Sequence, residues 1–248
     1  MGELLNISKF KNMSAKDIVT DYDALSERCE EFDLTKSNTD AQTIIVALKR
    51  IIRSDDTITG LSANQIGYNK RVLCLNFNGD IRTFINPIIE KAEGLELSRE
   101  RCHSLPGKEY IRLRHTKISV TYQTPLAKIE SVELVGMAAR VMQHHIDHLD
   151  GLLLSDVGLE IDESWDAATE EERQEVIDMY LDSLDLNRTQ LEKDIADDKD
   201  AAQIANAVKF ITSVQQGKTK IEHIPLTDAE IELIKQYDTN KKSKEIDK

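Results

Sequence analysis

From Asp40 onward the apolar positions fall into register: Ile44, Ile45, Leu48, Ile51 and Ile52 recur at three- and four-residue spacing. That period predicts an amphipathic helix ending near Arg53. Shorter runs with strand character follow over Arg71 to Leu75, Thr83 to Asn86, Tyr110 to Leu113 and Lys117 to Tyr122, the last alternating at Ile118, Val120 and Tyr122. Asn78-Gly79, between the first two, predicts a hairpin turn. A second helix is expected over Glu133 to Leu149, with Leu134, Met137, Ala138, Val141, Met142 and His145 around it and Gly151 just past its end. Further on, Trp165, Val176, Ile177, Tyr180, Leu181 and Leu184 mark an apolar stripe in a helical segment that opens at Ser164 and carries acids in its first turns. Residues 1–38 read as partly helical, with Ser14 as a cap, and two more helices are expected near 200–216 and 228–237. Strands and helices mixed in this way give an α+β fold.

Charge adds a division that periodicity alone does not show. The 248 residues carry 45 acids and 32 bases, a net of -13, yet 16 of the acids and only 4 of the bases fall between Glu160 and Asp200. An acidic helical extension is therefore expected over 159–248, after a near-neutral domain over 1–158. A balance this negative argues against nucleic acid as the main partner. No run approaches the roughly 18 apolar residues of a membrane span, and the opening MGELLNISKF lacks the apolar stretch of a signal peptide. The expectation is a soluble, cytoplasmic protein with no membrane association. Cys29, Cys74 and Cys102 are too few and too scattered for a disulfide framework, so a thiol in metal or redox chemistry is expected instead.

Candidate chemistry sits on the second helix. It contains QHHIDHLDG, which puts His144 and His148 at i and i+4 on one face, where two imidazoles can meet one metal ion. Upstream, RERCHSLPG offers Cys102 as a thiolate, and TGLSANQIGYNKRV offers a Gly-bounded turn and Gln65. One cysteine and two histidines leave a fourth position open, as catalytic sites do and structural zinc sites do not. His145 and His103 stand close enough in sequence to close that position, which would make the site structural. Gln65 reads either as a core-facing turn amide or as a donor to the site.

These stretches resemble the peptide deformylases, whose motifs G-x-G-x-A-A-x-Q, E-G-C-x-S and Q-H-E-x-D-H occur in this order. GLSANQIGYNKRV with FINPII, then Glu100, Cys102, Ser104 and Pro106-Gly107, then GMAARVMQHHIDHLDGLLL follow the pattern over about Asp40 to Asp156. The resemblance implies a deformylase-like domain with antiparallel strands around a metal-bearing helix. It implies one Fe2+ or Zn2+ ion on Cys102, His144 and His148, and as substrate a formyl-methionyl peptide. Gln65 and the backbone N–H of His103 would serve a developing oxyanion.

The chain departs from the pattern where the family has its general acid/base Glu: that position is His145. Proton transfer of this kind is worth roughly 10²–10⁴-fold. On the substrate side Ile58 replaces the first motif's opening glycine while Gly60 keeps the second, Ser62 replaces Ala, and Arg101 and His103 replace smaller or apolar residues. The sequence thus suggests a deformylase-like protein whose activity is lost or strongly reduced. It would be repurposed as a structural or assembly component, in one form a phage virion protein; an active deformylase is the alternative. Trp165, Tyr180, Leu181 and Leu184 must be buried, either on this domain or against a protein partner docked on the extension.

Overall fold

The computed structural model describes residues 13–34 and 38–184. Ser14 opens a single 3-10 turn at Ala15–Asp17, its backbone N–H donating to Asp17 Oδ2 at 2.8 Å. Among the described residues, helix α1 (Tyr22–Ser26) is the one other helical piece before α2 (Asn38–Ser54), which carries the first predicted stripe. Ile44, Ile45, Leu48, Ile51 and Ile52 are all buried, packed with Leu61, Val72 and Ile85 in one core cluster.

Among the described residues, eight strands follow in two antiparallel sheets. Strands β1 (Gly60–Ser62), β2 (Val72–Phe77) and β3 (Asp80–Glu93) come first. Asn78 and Gly79 both have left-handed φ, 51° and 97°, so the β2–β3 connection is the tight hairpin that the dipeptide predicts. Strands β4 (Glu96–Arg101), β5 (Glu109–Arg114), β6 (Lys117–Gln123) and β7 (Ile129–Val135) precede helix α3 (Gly136–Leu149). After α4 (Leu154–Val157) and β8 (Leu159–Ile161), the described chain ends with α5 (Glu163–Ala167) and α6 (Glu170–Ser183). One sheet runs β1-β2-β3-β6-β7 and the other β4-β5-β8. Among the described residues no helix is long and apolar enough to cross a membrane.

Two helix boundaries and four strands differ from the sequence reading. The second predicted helix begins at Gly136, because residues 129–135 pair along their whole length with β6, from Gln123↔Ile129 to Lys117↔Val135. Strand pairing there overrides a helical period that Leu134 had seemed to extend. The helical stretch that opens at Ser164 is, among the described residues, two helices, since Thr169 restarts the chain with a capping box: its hydroxyl accepts from Glu172 N–H at 3.2 Å and its N–H donates to Glu172 Oε2 at 2.8 Å. Strands β1, β4, β7 and β8 lie outside the predicted set, and the helices expected near 200–216 and 228–237 lie outside the described residues.

The apolar stripe chooses between its two destinations. Residues of β8 pair with β5, so the fold continues past residue 158. Trp165 packs on Ile111 and Ile161, while Tyr180 and Leu181 pack with Leu113, with Leu97, Ile177 and Leu184 at the margin. Tyr180 also donates its hydroxyl to the Val157 carbonyl at 3.0 Å. The expected partner surface at Trp165, Tyr180, Leu181 and Leu184 is therefore occupied by this chain's own three-stranded sheet. Leu181→Ala is expected to cost about 2–5 kcal/mol in urea unfolding, whereas Met179→Ala on the 72% exposed outer face should stay within about 0.5 kcal/mol. Equal, small losses at both positions would show that α6 does not pack here.

Candidate metal centre

Helix α3 presents its histidines to the end of β4. Glu96, Ser98 and Glu100 pair with Arg114, Arg112 and Tyr110, and strand alternation puts these six on one sheet face. Arg114 is the fastener between that face and the helix. Its Nε and Nη2 donate to the two Glu100 oxygens at 2.7 and 2.9 Å, and its Nη1 donates to Asp147 Oδ2 at 2.5 Å. Glu100 Oε2 in turn lies 2.9 Å from His144 Nδ1, which fixes that ring from the side. Gln143, one residue earlier, clamps the β5–β6 turn by accepting from His115 N–H at 2.9 Å and donating to the His115 carbonyl at 2.8 Å.

This framework brings Cys102, His144 and His148 together, with ligand atoms all within 4.8 Å of one another. Cys102 Sγ is 3.1 Å from His148 Nε2. His148 Nδ1 is buried with no hydrogen-bond partner among the described residues, so Nε2 is the nitrogen turned to the thiol. Burial opposes ionising Cys102, but the adjacent His148 and His144 more than offset it and hold the thiol well below its ordinary range. Burial likewise opposes a charged His144, yet bonds to Cys102 and Glu100 raise it to about 10. Thiolate and imidazole donors at this separation fit a borderline ion such as Zn2+ or Fe2+, and the carboxylate behind His144 is the usual orienting partner of a ligating ring.

Gln65 stands at the third side, 1% exposed. The Ser62 backbone N–H donates to its Oε1 at 3.0 Å, so its Nε2 faces the site, 3.1 Å from Ser104 Oγ and 3.8 Å from Cys102 Sγ. The remaining sequence candidates separate. Ile58 is 0% exposed in the α2 core, and left-handed φ among described non-glycine residues occurs only at Asn78, Asn86 and Ala127, so it neither lines a rim nor strains the backbone. Arg101 turns out to solvent and pairs with Glu109, and His103 Nε2 reaches Thr57 Oγ1 at 3.3 Å on the surface. His145 is buried beside the site but outside the converging ligand set, and no His103 atom joins that set. Burial first, then the electrostatics of His144, His148, His103 and Arg114 around it, push the His145 ring well below its ordinary pKa.

Arg114 and Asp147 received no role from sequence. The available signal was alternation: Arg112 and Arg114 two apart on a strand facing a helix with Asp147 one turn from His144.

Fold and site together give a Cys–His–His group that could hold a metal ion, set on an α+β scaffold. The family profile described as polypeptide deformylase matches residues 15–162, well over half of the chain, and the chain belongs to that family. It is 35% identical over 123 residues to a peptide deformylase of Symbiobacterium thermophilum, a match covering 48% of this chain and 57% of that relative. Among solved structures, the peptide deformylase of Thermotoga maritima matches at 28% identity and a TM-score of 0.51, covering 54% of this chain and 90% of that one. The deformylase of Vibrio parahaemolyticus bacteriophage VP16T, solved with actinonin, matches at 28% and 0.50, covering 55% and 98%.

Burial alone would raise the Glu100 carboxyl, but Arg114 and His144 bring it down from 4.5 to about 2. A depressed folded pKa stabilises above the unfolded value and loses that contribution as pH falls from about 4.5 toward 2. Metal-free protein is therefore expected to lose a few kcal/mol more between pH 5 and pH 2 than Glu100→Gln does, read by urea titration. Parallel stability curves for the two proteins would contradict this.

Proposed function

We propose that this chain is a metal-dependent deformylase of strongly reduced turnover, acting on N-formylated peptide ends, in which His145 occupies the place of the proton-transferring carboxylate. The observation that carries the reading is the contrast at α3: the three ligand side chains converge, while the residue between them in sequence is a buried imidazole outside the ligand set.

Cys102, His144 and His148 would hold the ion, with Glu100 and Arg114 fixing the orientation of His144. A divalent ion bound there would polarise a formyl carbonyl and lower the pKa of water. Gln65, its oxygen engaged by Ser62 N–H, turns its amide N–H group to the site, where it donates to Ser104 Oγ and toward Cys102 Sγ and would turn to charge developing on the carbonyl oxygen. His145 must then accept and return a proton in a setting that resists its charged form, which is the physical reason for slow turnover. The family supplies the substrate class, and the match to 57% of the first relative's length leaves the full activity a proposal. The assembly-component reading looked for its partner at Trp165, Tyr180, Leu181 and Leu184; those side chains pack within this chain, so that surface gives it no support.

The test is deformylation of a formyl-methionyl peptide by protein loaded anaerobically with Fe2+, with metal content measured on the same samples. His145→Glu is expected to raise turnover by roughly 10²–10⁴-fold at unchanged metal content. Cys102→Ala should lose both metal and turnover. A natural protein as fast as its Glu variant would overturn the claim of reduced turnover.

A further inference from the structure

His145 sits in a fitted seat built by β1. Ser62, at the end of that strand and 0% exposed, places its Oγ 3.1 Å from His145 Nδ1 and 3.1 Å from the His145 carbonyl oxygen. Gly60, two residues earlier on the same strand face, forms the other wall. A Cβ there would come 2.5 Å from His145 Nε2 and 2.6 Å from Cδ2, closer than carbon approaches such atoms, so the ring fits only over a bare Cα.

The hydrogen-bond inventory then selects one arrangement. A serine hydroxyl has one proton to donate and can accept, and a backbone carbonyl can only accept. Both 3.1 Å contacts are used when Ser62 donates to the carbonyl and accepts from His145 Nδ1–H. The reverse, with Ser62 donating to Nδ1, gives up the carbonyl contact. The family motif has Ala where this chain has Ser62 and Glu where it has His145. The two departures, 83 residues apart, meet in one contact.

We propose that Ser62 is a positioning residue for His145: with Gly60 beneath the ring, its hydroxyl holds the imidazole in the Nδ1–H tautomer and leaves Nε2 as the accepting atom. Ser62 and His145 act as a unit that replaces the family's Ala and Glu. The tautomer stands on geometry alone, and its consequence for turnover rests on the functional reading above.

The experiment uses the full chain with 15N-labelled histidine rings, His145 being assigned by the signals missing from His145→Gln. Long-range 1H–15N correlation reads which ring nitrogen carries the proton. The natural protein is expected to show protonated Nδ1 and bare Nε2 at His145, and Ser62→Ala to move the tautomer ratio toward Nε2–H by roughly fivefold. In Fe2+-loaded protein, Ser62→Ala should lower kcat by roughly fivefold at constant KM when residue 145 is His, and leave His145→Glu unchanged. A proton on Nε2 in the natural protein, or a Ser62→Ala spectrum identical to it, overturns the assignment. The spectrum decides the tautomer even if no variant turns over, a result that would overturn the functional reading instead.

Discussion

Arg114 is the interaction on which the arrangement of the site depends. Its guanidinium is nearly inaccessible and holds two carboxylates that belong to different layers, Glu100 on β4 and Asp147 on α3. Two residues past Glu100 comes Cys102, and one residue past Asp147 comes His148. The ion pairs thus set the distance between the thiol and the imidazoles. Burying three charges carries a large desolvation cost, so replacing the cluster with apolar residues could leave stability unchanged. Such a core would have no means of holding His144 by its Nδ1. The cluster's physical value lies in alignment.

The same sheet strand serves two surfaces by alternation. Tyr110, Arg112 and Arg114 look toward one side, and Ile111 and Leu113 look toward α5 and α6. Arg99 on β4 follows the apolar side and reaches Asp166 of α5 at 2.8 Å. The acidic segment is therefore tied to the domain by burial and by charge together.

Much of this was legible in the sequence, and the reasons differ by feature. Helix α2 was clear because five buried isoleucines and leucines keep one period over three turns. The ligand set was clear because two of its members share a helix and the third lies in a recognisable motif. The start of α3 was not, because Leu134 fits a helical stripe as well as it fits a strand, and only pairing with β6 decides between them. Arg101, His103 and Ile58 were read as crowding one region. A sequence cannot say where a side chain points, and these three point to solvent, to Thr57 and into the α2 core respectively. The Ser62–His145 contact was also beyond sequence, since it joins positions 83 residues apart whose separate changes look unrelated.

The β4-β5-β8 sheet, on which α6 packs, is gripped from both sides. One of its faces is held to α3 by Arg114, and the other is sealed by Tyr180, Leu181 and Trp165. A transient opening of α6 would release the apolar face, loosen β5 and let Cys102 drift from the histidines. Amide protection in β5 and the lifetime of the assembled ligand set are then governed by one cooperative unit. Through that sheet, the packing of α5 and α6 bears on the order of the ligand set.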